Sequence, residues 1–306
     1  MGPDPAPARG QAPSAPGGPW TPLPVDASTR RYFAGPGDGR PVLLADFGED
    51  ADGRERFLHV AGLFSRAGIR VPEIIEAPQG ETWVVQERIQ GRPLSRSRWR
   101  EDVEDGLLSW AGAISDIGTW GRGPAPLELD APRLAFELGF FRLHFVEGLL
   151  NTDGGAFAQG LDGLARAVGA LPMRLAHRDF HSENILEGPD GERVLIDFQD
   201  ALWAPAGYDA ASLAVDAYRD QGGAIRRRIL AKWAQARGSD PRALERVALQ
   251  RALKALGTFG YQVTRLKRIR FLAYVAPTCR NALDLLGAWE GLEDLAPVLR
   301  KGLALA

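Results

Sequence analysis

The chain has 306 residues, with one cysteine (Cys279), two methionines and four histidines. A single cysteine excludes an internal disulfide framework, and so few thiol and imidazole groups argue against a structural zinc site. No apolar run approaches the ~18–20 residues that a membrane-spanning helix needs. We therefore expect no membrane partner, and the cytoplasm fits this composition best.

Lysine is also scarce, since the first one in the chain is Lys232. The net charge is −2, yet the stretch from Arg219 to Ala306 holds 17 Lys or Arg against 7 Asp or Glu, a local excess of +10. Such a basic half can be an anionic-substrate site, a nucleic-acid face or a solvated surface. Because it lacks the interleaved aromatic residues of a single-strand binder, we expect no nucleic-acid partner.

The composition changes along the chain in a way that predicts its domains. Residues 1–19 are rich in Pro, Gly and Ala without an apolar core, which is typical of a disordered tail and not of a signal peptide. The remaining length can hold about two lobes. We expect a first lobe at 20–91 and a second lobe at 92–306.

The first lobe has the pattern of a small sheet with one helix. Short β-branched and aromatic runs at Arg30–Phe33, Val42–Asp46 and Thr82–Glu87 predict strands, and the Gly-rich Gly35–Gly39 predicts a hairpin between the first two. Apolar residues at helical spacing predict a helix over Glu55–Ala67. Two strands, a helix and two further strands are the order found in the small lobe of a kinase.

The second lobe is predicted to be helical. Phenylalanines 136, 140, 141 and 145 are expected to form one core stripe. Helices are expected near 101–119, 132–150, 155–170, 208–236, 241–266 and 270–301.

Two short segments carry the chemistry. His177–Asn184 (HRDFHSEN) places an Asn five residues after an Asp, and Ile196–Asp200 (IDFQD) ends an apolar strand with a second Asp. A hairpin turn at Gly188–Gly191 separates them. Their order and spacing indicate phosphoryl transfer from ATP, in which catalysis is mostly positioning and charge neutralisation. Asp179 would then accept the proton of the attacking hydroxyl.

The expected cofactor is Mg²⁺, with ATP as co-substrate. Asn184 and Asp197 supply the hard oxygen ligands that this ion prefers. A kinase-type lysine on the third strand is missing, because Val42–Phe47 contains no basic residue. We expect Arg30 or Arg31 to bind the ATP phosphates instead, with hydroxyl and amide donors from Ser28 and Thr29.

With these motifs, the chain resembles the aminoglycoside-phosphotransferase-like branch of the kinase-fold enzymes. Within that branch it is similar to the bacterial cell-wall-recycling kinases of N-acetylmuramate and N-acetylglucosamine, over roughly residues 25–290. The shared segments are Asp26–Phe33, His177–Asn184, Asp197–Ala201 and the late helix at Gln250–Gly257. The resemblance implies an α+β, protein-kinase-like two-lobed fold, with a β-rich N-terminal lobe and a larger helical C-terminal lobe.

The resemblance also implies residue roles. The base falls on Asp179 and the metal on Asn184 and Asp197. From the strand pattern, the segment Gln90–Leu94 is expected to connect the two lobes, with a backbone that could pair with the adenine edge. The hinge residues just before it, Glu87, Arg88 and Ile89, are also candidates for contact with adenine.

Four further residues are expected to contact the acceptor or to support the structure. His181 and Asp200 are candidates for contact with the sugar, and His177 is expected to brace the loop. Asp209 is expected to support the structure as the N-cap of the helix that starts there.

The implied activity is an ATP-dependent transfer to the anomeric hydroxyl of a small amino sugar, in peptidoglycan recycling. Glu183, where the family often has Arg, and Val215, which leaves Asp216 without a paired Arg, put the identity of the sugar in doubt. The alternatives are another small-molecule kinase, such as an aminoglycoside phosphotransferase, and a nucleotide-binding pseudokinase. The oligomeric state stays open.

Overall fold

The computed structural model describes residues 19–24, 30–37 and 39–305. Nearly all of the predicted tail, together with Ser28 and Thr29, lies outside the described residues. The chain forms two compact units. The first comprises residues up to Arg92, Trp120–Ala125 and Leu186–Gln199, and the second comprises Pro93–Thr119, Pro126–Ile185 and the chain from Asp200 onward. The last two segments of the first unit lie within the range that the sequence predicted for the second lobe.

The expected α+β class is confirmed, with strands concentrated in the first unit and helices in the second. The strands are β1 Thr21–Pro22, β2 Arg31–Gly35, β3 Val42–Asp46, β4 Ile74–Glu76, β5 Trp83–Glu87, β6 Arg92–Pro93, β7 Met173–Ala176, β8 Ile185–Glu187, β9 Arg193–Leu195 and β10 Leu202–Pro205. The helices are α1 Ala51–Arg66, α2 Glu101–Ser115, α3 Ala131–Phe141, α4 Ala158–Gly169, α5 Tyr208–Ala214, α6 Gly222–Arg237, α7 Pro241–Thr264, α8 Val275–Leu285 and α9 Leu295–Leu303.

The first unit is built on an antiparallel sheet of order β1-β2-β3-β5-β4. The predicted sequence of two strands, a helix and two strands is present as β2, β3, α1, β4 and β5. The hairpin between β2 and β3 uses positive φ angles at Gly37 and Gly39, which glycine adopts without strain.

The two faces of this sheet bury different partners. On one face, Trp20 packs on a buried cluster of strand residues, and Gly35 leaves room for it, because a Cβ there would lie 2.6 Å from the indole ring. Helix α1 belongs to the opposite face: its Phe57 contacts Phe47, with ring centroids 5.5 Å apart, and its buried residues Phe57, Val60, Ala61 and Phe64 are all apolar. The buried cluster on the first face is Phe33, Val42, Leu44, Trp83 and Val85.

Helix α7 is the central element of the second unit. Asp240 caps its N-terminus by accepting hydrogen bonds from the amides of Arg242 and Ala243, and Pro241 occupies the first turn. At Gly257 a side chain would meet the backbone of Phe141 at 2.7 Å. The missing Cβ therefore lets α7 lie directly against the end of α3.

Two long predicted helices are interrupted. The span 208–236 is divided into α5 and α6, and 270–301 into α8 and α9. In the first gap, the buried Asp216 leaves the helical path to accept hydrogen bonds from the amides of Ser182 and Tyr218. In the second gap, Gly291 has φ +88°, which a continuous helix does not permit.

The predicted phenylalanine stripe is only partly correct. Phe141 and Phe145 are fully buried, whereas Phe136 is 73% exposed. A helix turns about 100° per residue, so Phe141 lies about 140° around the axis from Phe136. The two residues therefore face opposite sides of the helix. The helix also changes to a π-helical segment over Arg142–Leu149.

Within the described part of the chain, no helix combines the length and the hydropathy needed to span a bilayer.

Candidate active site

The predicted catalytic loop follows strand β7 in the second unit. Its first two amides, those of His177 and Arg178, donate to the carboxylate of Asp209 at 2.7 and 3.1 Å. The expected N-cap role of Asp209 is wrong, because α5 begins after Gly207, whose φ is +86°, without a side-chain cap. Burial raises the pKa of Asp209 to about 6, although His177 and the two amides oppose that shift. Asp209 therefore holds the start of the loop.

A second buried carboxylate holds the middle of the loop. Asp216 accepts from the amides of Ser182 at 2.8 Å and Tyr218 at 2.9 Å. Burial raises its pKa, and these hydrogen bonds act against the shift. Asp216 thus has backbone partners in place of an arginine. Glu183, the other departure from the family pattern, accepts a hydrogen bond from the hydroxyl of Ser95.

The loop folds back on the carbonyl of Asp179. That oxygen accepts from the amide of His181 at 3.0 Å and from Nδ2 of Asn184 at 2.9 Å. Because Nδ2 is committed to this carbonyl, the amide oxygen is the atom of Asn184 suited to a metal ion. The five-residue spacing seen in the sequence thus orients the side chain of Asn184.

The carboxylate of Asp179 meets two cations from α7. Its Oδ1 atom lies 2.7 Å from Nη2 of Arg251 and 3.0 Å from Nζ of Lys254. Burial acts to raise the pKa of Asp179, but the charges of Lys254 and Arg251 outweigh it and hold the pKa well below its usual value. Asp179 is therefore ionised at neutral pH and can accept a proton.

Helix α7 presents these cations because positions three apart lie on the same face. Arg251 is nearly buried and also donates from Nε to the hydroxyl of Ser212 at 3.1 Å. Burial and Arg251 lower the pKa of Lys254, while Asp179 opposes the shift. The 3.0 Å contact with an ionised carboxylate favours the charged form of Lys254. The sequence resemblance covered this helix but indicated no role for either residue.

A separate ion pair lies beside this group. Glu137 accepts from Nη2 of Arg178 at 3.3 Å and from Nε2 of Gln250 at 2.9 Å. Arg178 is the direct ion-pair partner of Glu137, which also acts on Arg251 and Lys254 through space. The carboxylate of Asp179 contacts two cations directly, and Glu137 and Asp209 also act on the charge of Arg251.

The two acceptor-binding candidates have different surroundings. The ring of His181 lies 4.7 Å from that of Tyr218, and burial lowers its pKa to about 3, although Asp179 opposes this. His181 is therefore neutral at physiological pH. Asp200 is exposed and is the first residue of the last segment of the second unit. His177, the expected brace, is fully buried with its ring edge-on to Phe180.

The second metal candidate, Asp197, belongs to the first unit. It is exposed, has φ +61° and accepts from Nε2 of Gln199 at 2.7 Å. The next residue, Phe198, is buried and stacks on Phe57 of α1 with ring centroids 5.0 Å apart. The apolar anchor at Phe198 thus fixes the backbone that carries the exposed carboxylate.

Among the described residues, no group of three or more His, Cys, Asp or Glu side chains is placed to hold a metal ion. Asn184 in the second unit and Asp197 in the first are the two predicted ligands, and each carries an oxygen of the kind that Mg²⁺ prefers.

The two candidate phosphate-binding arginines lie on opposite faces of the sheet. Arg31 is directly across from Asp46 in the β2–β3 ladder and donates to its carboxylate from Nε at 3.0 Å. Asp46 also accepts from the amide of Gly48 and the hydroxyl of Thr82. The Arg30 guanidinium lies over the ring of Phe47, 5.3 Å from its centroid. Phe47 contacts Phe57 of α1, so Arg30 lies on the face of the sheet that packs on α1.

The connector candidates are partly engaged. Glu87 forms an ion pair with Arg70 at 2.7 Å. Its amide donates to the carbonyl of Glu73, and the amide of Arg88 donates to that of Pro41. These two amides are therefore used within the first unit, and Ile89 becomes the better candidate for an amide contact with adenine.

Comparison with known proteins shows the family of this chain. A family model described as the phosphotransferase enzyme family matches residues 19–249. The chain belongs to this family. The predicted membership is confirmed, and the protein is an enzyme of the phosphotransferase class.

Relatives in the phosphotransferase family share most of the chain length. An N-acetylmuramate/N-acetylglucosamine kinase of Neisseria meningitidis serogroup B is 26% identical, over 89% of each chain. One from Pseudomonas putida is 28% identical, over 93% of this chain and 88% of its own.

Solved structures show that the fold is the kinase-like fold of this family. A choline/ethanolamine kinase family protein from Mesorhizobium loti superposes with a TM-score of 0.58 at 17% identity, covering 94% of this chain and 92% of its own. A thermostable mutant of the aminoglycoside phosphotransferase APH(4)-Ia, in a ternary complex with ADP and hygromycin B, has a TM-score of 0.53 at 19% identity, covering 92% of this chain and 94% of its own.

Proposed function

We propose that this phosphotransferase is an ATP-dependent kinase of the anomeric hydroxyl of an N-acetylated amino sugar. The substrate would be N-acetylmuramate or N-acetylglucosamine, and the product a sugar 1-phosphate in peptidoglycan recycling in the cytoplasm, where ATP is available. The names of the two bacterial relatives support the substrate class.

The observation that carries the proposal is the pair of cations on Asp179. Arg251 and Lys254 both contact the carboxylate that would face the acceptor hydroxyl. A polycationic aminoglycoside would bring further positive charge to this place, where like charges repel. A neutral or acidic sugar meets no such repulsion. The charge around Asp179 therefore favours an amino sugar that is N-acetylated and so carries no ammonium group.

In the proposed reaction, Asp179 accepts the proton of the anomeric hydroxyl as its oxygen attacks the γ-phosphorus. Asn184 and Asp197 would hold Mg²⁺, which when bound neutralises phosphate charge. Arg30 would contact the ATP phosphates, and Ile89 the adenine edge. His181, which is neutral, can exchange hydrogen bonds with sugar hydroxyls without adding charge.

Asp200 is the second candidate for the sugar. Its exposed carboxylate can accept hydrogen bonds from hydroxyl or amide groups of the acceptor.

The test is an acceptor screen followed by analysis of the product. ATP consumption would be measured with N-acetylglucosamine, N-acetylmuramate, glucose and several aminoglycosides. We expect turnover with the N-acetylated sugars and little with glucose, because a site that pairs with the N-acetyl group rejects analogues without it. The product should lose its reducing end and release phosphate in mild acid.

A reducing, acid-stable phosphosugar would contradict transfer to the anomeric oxygen. Turnover with aminoglycosides alone would identify an aminoglycoside phosphotransferase. ATP binding without turnover of any acceptor would support the pseudokinase alternative.

A further inference from the structure

We propose that Arg251 and Lys254 bind the phosphoryl group as it is transferred to the acceptor. This deepens the proposed function and rests on it. Both side chains are largely buried, with 7% and 17% of their surface exposed, and both contact the same oxygen of Asp179. Neither is used for ATP or for metal in the roles described above.

The charge balance of the reaction explains the pair. The acceptor oxygen forms a bond to the γ-phosphorus, and the bond from that phosphorus to the β,γ-bridging oxygen breaks. ADP leaves with the electron pair of that bond, and the hydroxyl proton passes to Asp179. Asp179 thereby loses its negative charge as the phosphate ester forms on the acceptor oxygen. Arg251 and Lys254 then pair with the transferred phosphoryl group in place of the carboxylate of Asp179.

The surroundings of the pair support this exchange. The direct ion-pair partner of the nearby Glu137 is Arg178, whereas Arg251 and Lys254 contact the carboxylate of Asp179. Ser212 fixes Nε of Arg251, which keeps its guanidinium in place when the carboxylate is neutralised. Preorganised cations of this kind stabilise charge that develops in a transition state.

The alternative is that Arg251 and Lys254 bind a carboxylate on the acceptor, such as that of N-acetylmuramate. The two possibilities differ in what a substitution does. A phosphoryl contact is made with every acceptor, whereas a carboxylate contact is made with the acidic sugar alone.

The first experiment measures turnover. Lys254→Met should lower kcat on the order of 100-fold, with little change in KM, by the same factor for N-acetylglucosamine and N-acetylmuramate. Lys254→Arg should keep a much higher kcat than Lys254→Met, since arginine keeps the positive charge. Lys232→Met is the matched control on helix α6 and should keep the wild-type kcat and KM. A loss confined to N-acetylmuramate, or an unchanged kcat, would overturn the proposal.

The second experiment does not depend on the sugar. Binding of inorganic phosphate would be measured by calorimetry in the wild type, Asp179→Asn and the double variant Asp179→Asn/Lys254→Met. Removing the resident carboxylate should tighten phosphate binding on the order of tenfold, and the second substitution should abolish that gain. Equal affinities in all three proteins would overturn the proposal.

These outcomes separate the inference from the proposed function. If the wild type does not phosphorylate N-acetylated sugars, the proposed substrate is wrong, and the same variants are then compared on the acceptor that the screen identifies. If the wild type is active on them and Lys254→Met is equally active, the inference alone is wrong.

Discussion

Arg31 and Asp46 face each other across strands β2 and β3, with Nε of the arginine 3.0 Å from the carboxylate. Alternation along the strand directs Arg31 away from the face that packs on α1. In kinases the third-strand lysine pairs with a glutamate of the helix that corresponds to α1, so it lies on the α1 face. Arg30 lies over Phe47 on that face, so we expect Arg30, and not Arg31, to take the place of the missing lysine.

The first prediction concerns these two arginines. Arg30→Ala should weaken ATP binding by on the order of 1.5–3 kcal/mol, because a charge-assisted contact to phosphate is lost. Arg31→Ala should leave the Kd for ATP nearly unchanged but lower the free energy of unfolding, because Asp46 is buried and loses a partner. Calorimetric ATP titration and urea unfolding of both variants test this. The reverse assignment of the two effects would contradict it.

A second prediction addresses the base. Asp179→Asn should reduce turnover by roughly 10²–10⁴-fold, because the amide keeps the shape but cannot take the proton. The Kd for ATP should stay close to the wild-type value. Asp162→Asn, on the exposed side of α4, is the matched control and should retain full activity. Near-normal turnover of Asp179→Asn would remove this residue from the mechanism.

The metal assignment leads to a third prediction. Asp197→Ala should raise the Mg²⁺ concentration needed for half-maximal activity, because a charged oxygen ligand is lost. Activity would be titrated with MgCl₂ at saturating ATP. Asp190→Ala, in the turn before β9, is a control from the same segment and should keep the wild-type requirement. Wild-type activity in the presence of excess EDTA would show that no divalent ion is involved.

The fourth prediction is a pH dependence of stability from Glu104. This carboxylate is fully buried and accepts from Nε and Nη2 of Arg228 at 3.0 and 2.8 Å. Burial acts to raise the pKa of Glu104, but the hydrogen bonds from Arg228, Trp99 and Lys232 outweigh it, and the pKa lies below its usual 4.5. The ion pair therefore stabilises the fold above about pH 4.5 and is lost as the pH falls through the lower, folded-state pKa.

Glu104→Gln should thus lower the free energy of unfolding by on the order of 1–3 kcal/mol at pH 7. The difference from the wild type should shrink as the pH falls below about 4.5, because the wild-type residue then becomes neutral as well. Urea unfolding at several pH values measures this. Glu101 also pairs with Lys232 but is exposed. Glu101→Gln should therefore change the free energy of unfolding by less than about 0.5 kcal/mol at every pH. A gap that stays constant down to the lowest pH at which both proteins fold would contradict the assignment.

Local patterns predicted the elements that depend on neighbours in sequence. Strand β3 was predicted with the bounds that the structure has, because hydrophobic and β-branched residues bounded by turn residues specify a strand locally. The spacing of Asp179 and Asn184 likewise acts over five residues, and the structure joins the two through one hydrogen bond. Membership of the phosphotransferase family followed from such short segments.

Other features depend on residues that are far apart in the chain, and no local pattern contains them. The sequence position of Asp209 predicts a helix N-cap, but its carboxylate accepts hydrogen bonds from the amides of His177 and Arg178, 32 and 31 residues earlier in the chain. The cations on Asp179 come from 72 and 75 residues further along.

The sequence by itself determined the family, because the segments His177–Asn184 and Ile196–Asp200 are recognised by residue type and spacing, and the roles predicted for Asp179, Asn184 and Asp197 rest on the same segments. Tertiary structure alone decided which charges meet. Helix α7 lies against the chain at Phe141 because Gly257 has no side chain, and the same helix presents Arg251 and Lys254 to Asp179. Sheet pairing similarly engaged Arg31 with Asp46 and left Arg30 on the face of α1. Electrostatic energy depends on distance in space, which only packing between remote segments sets.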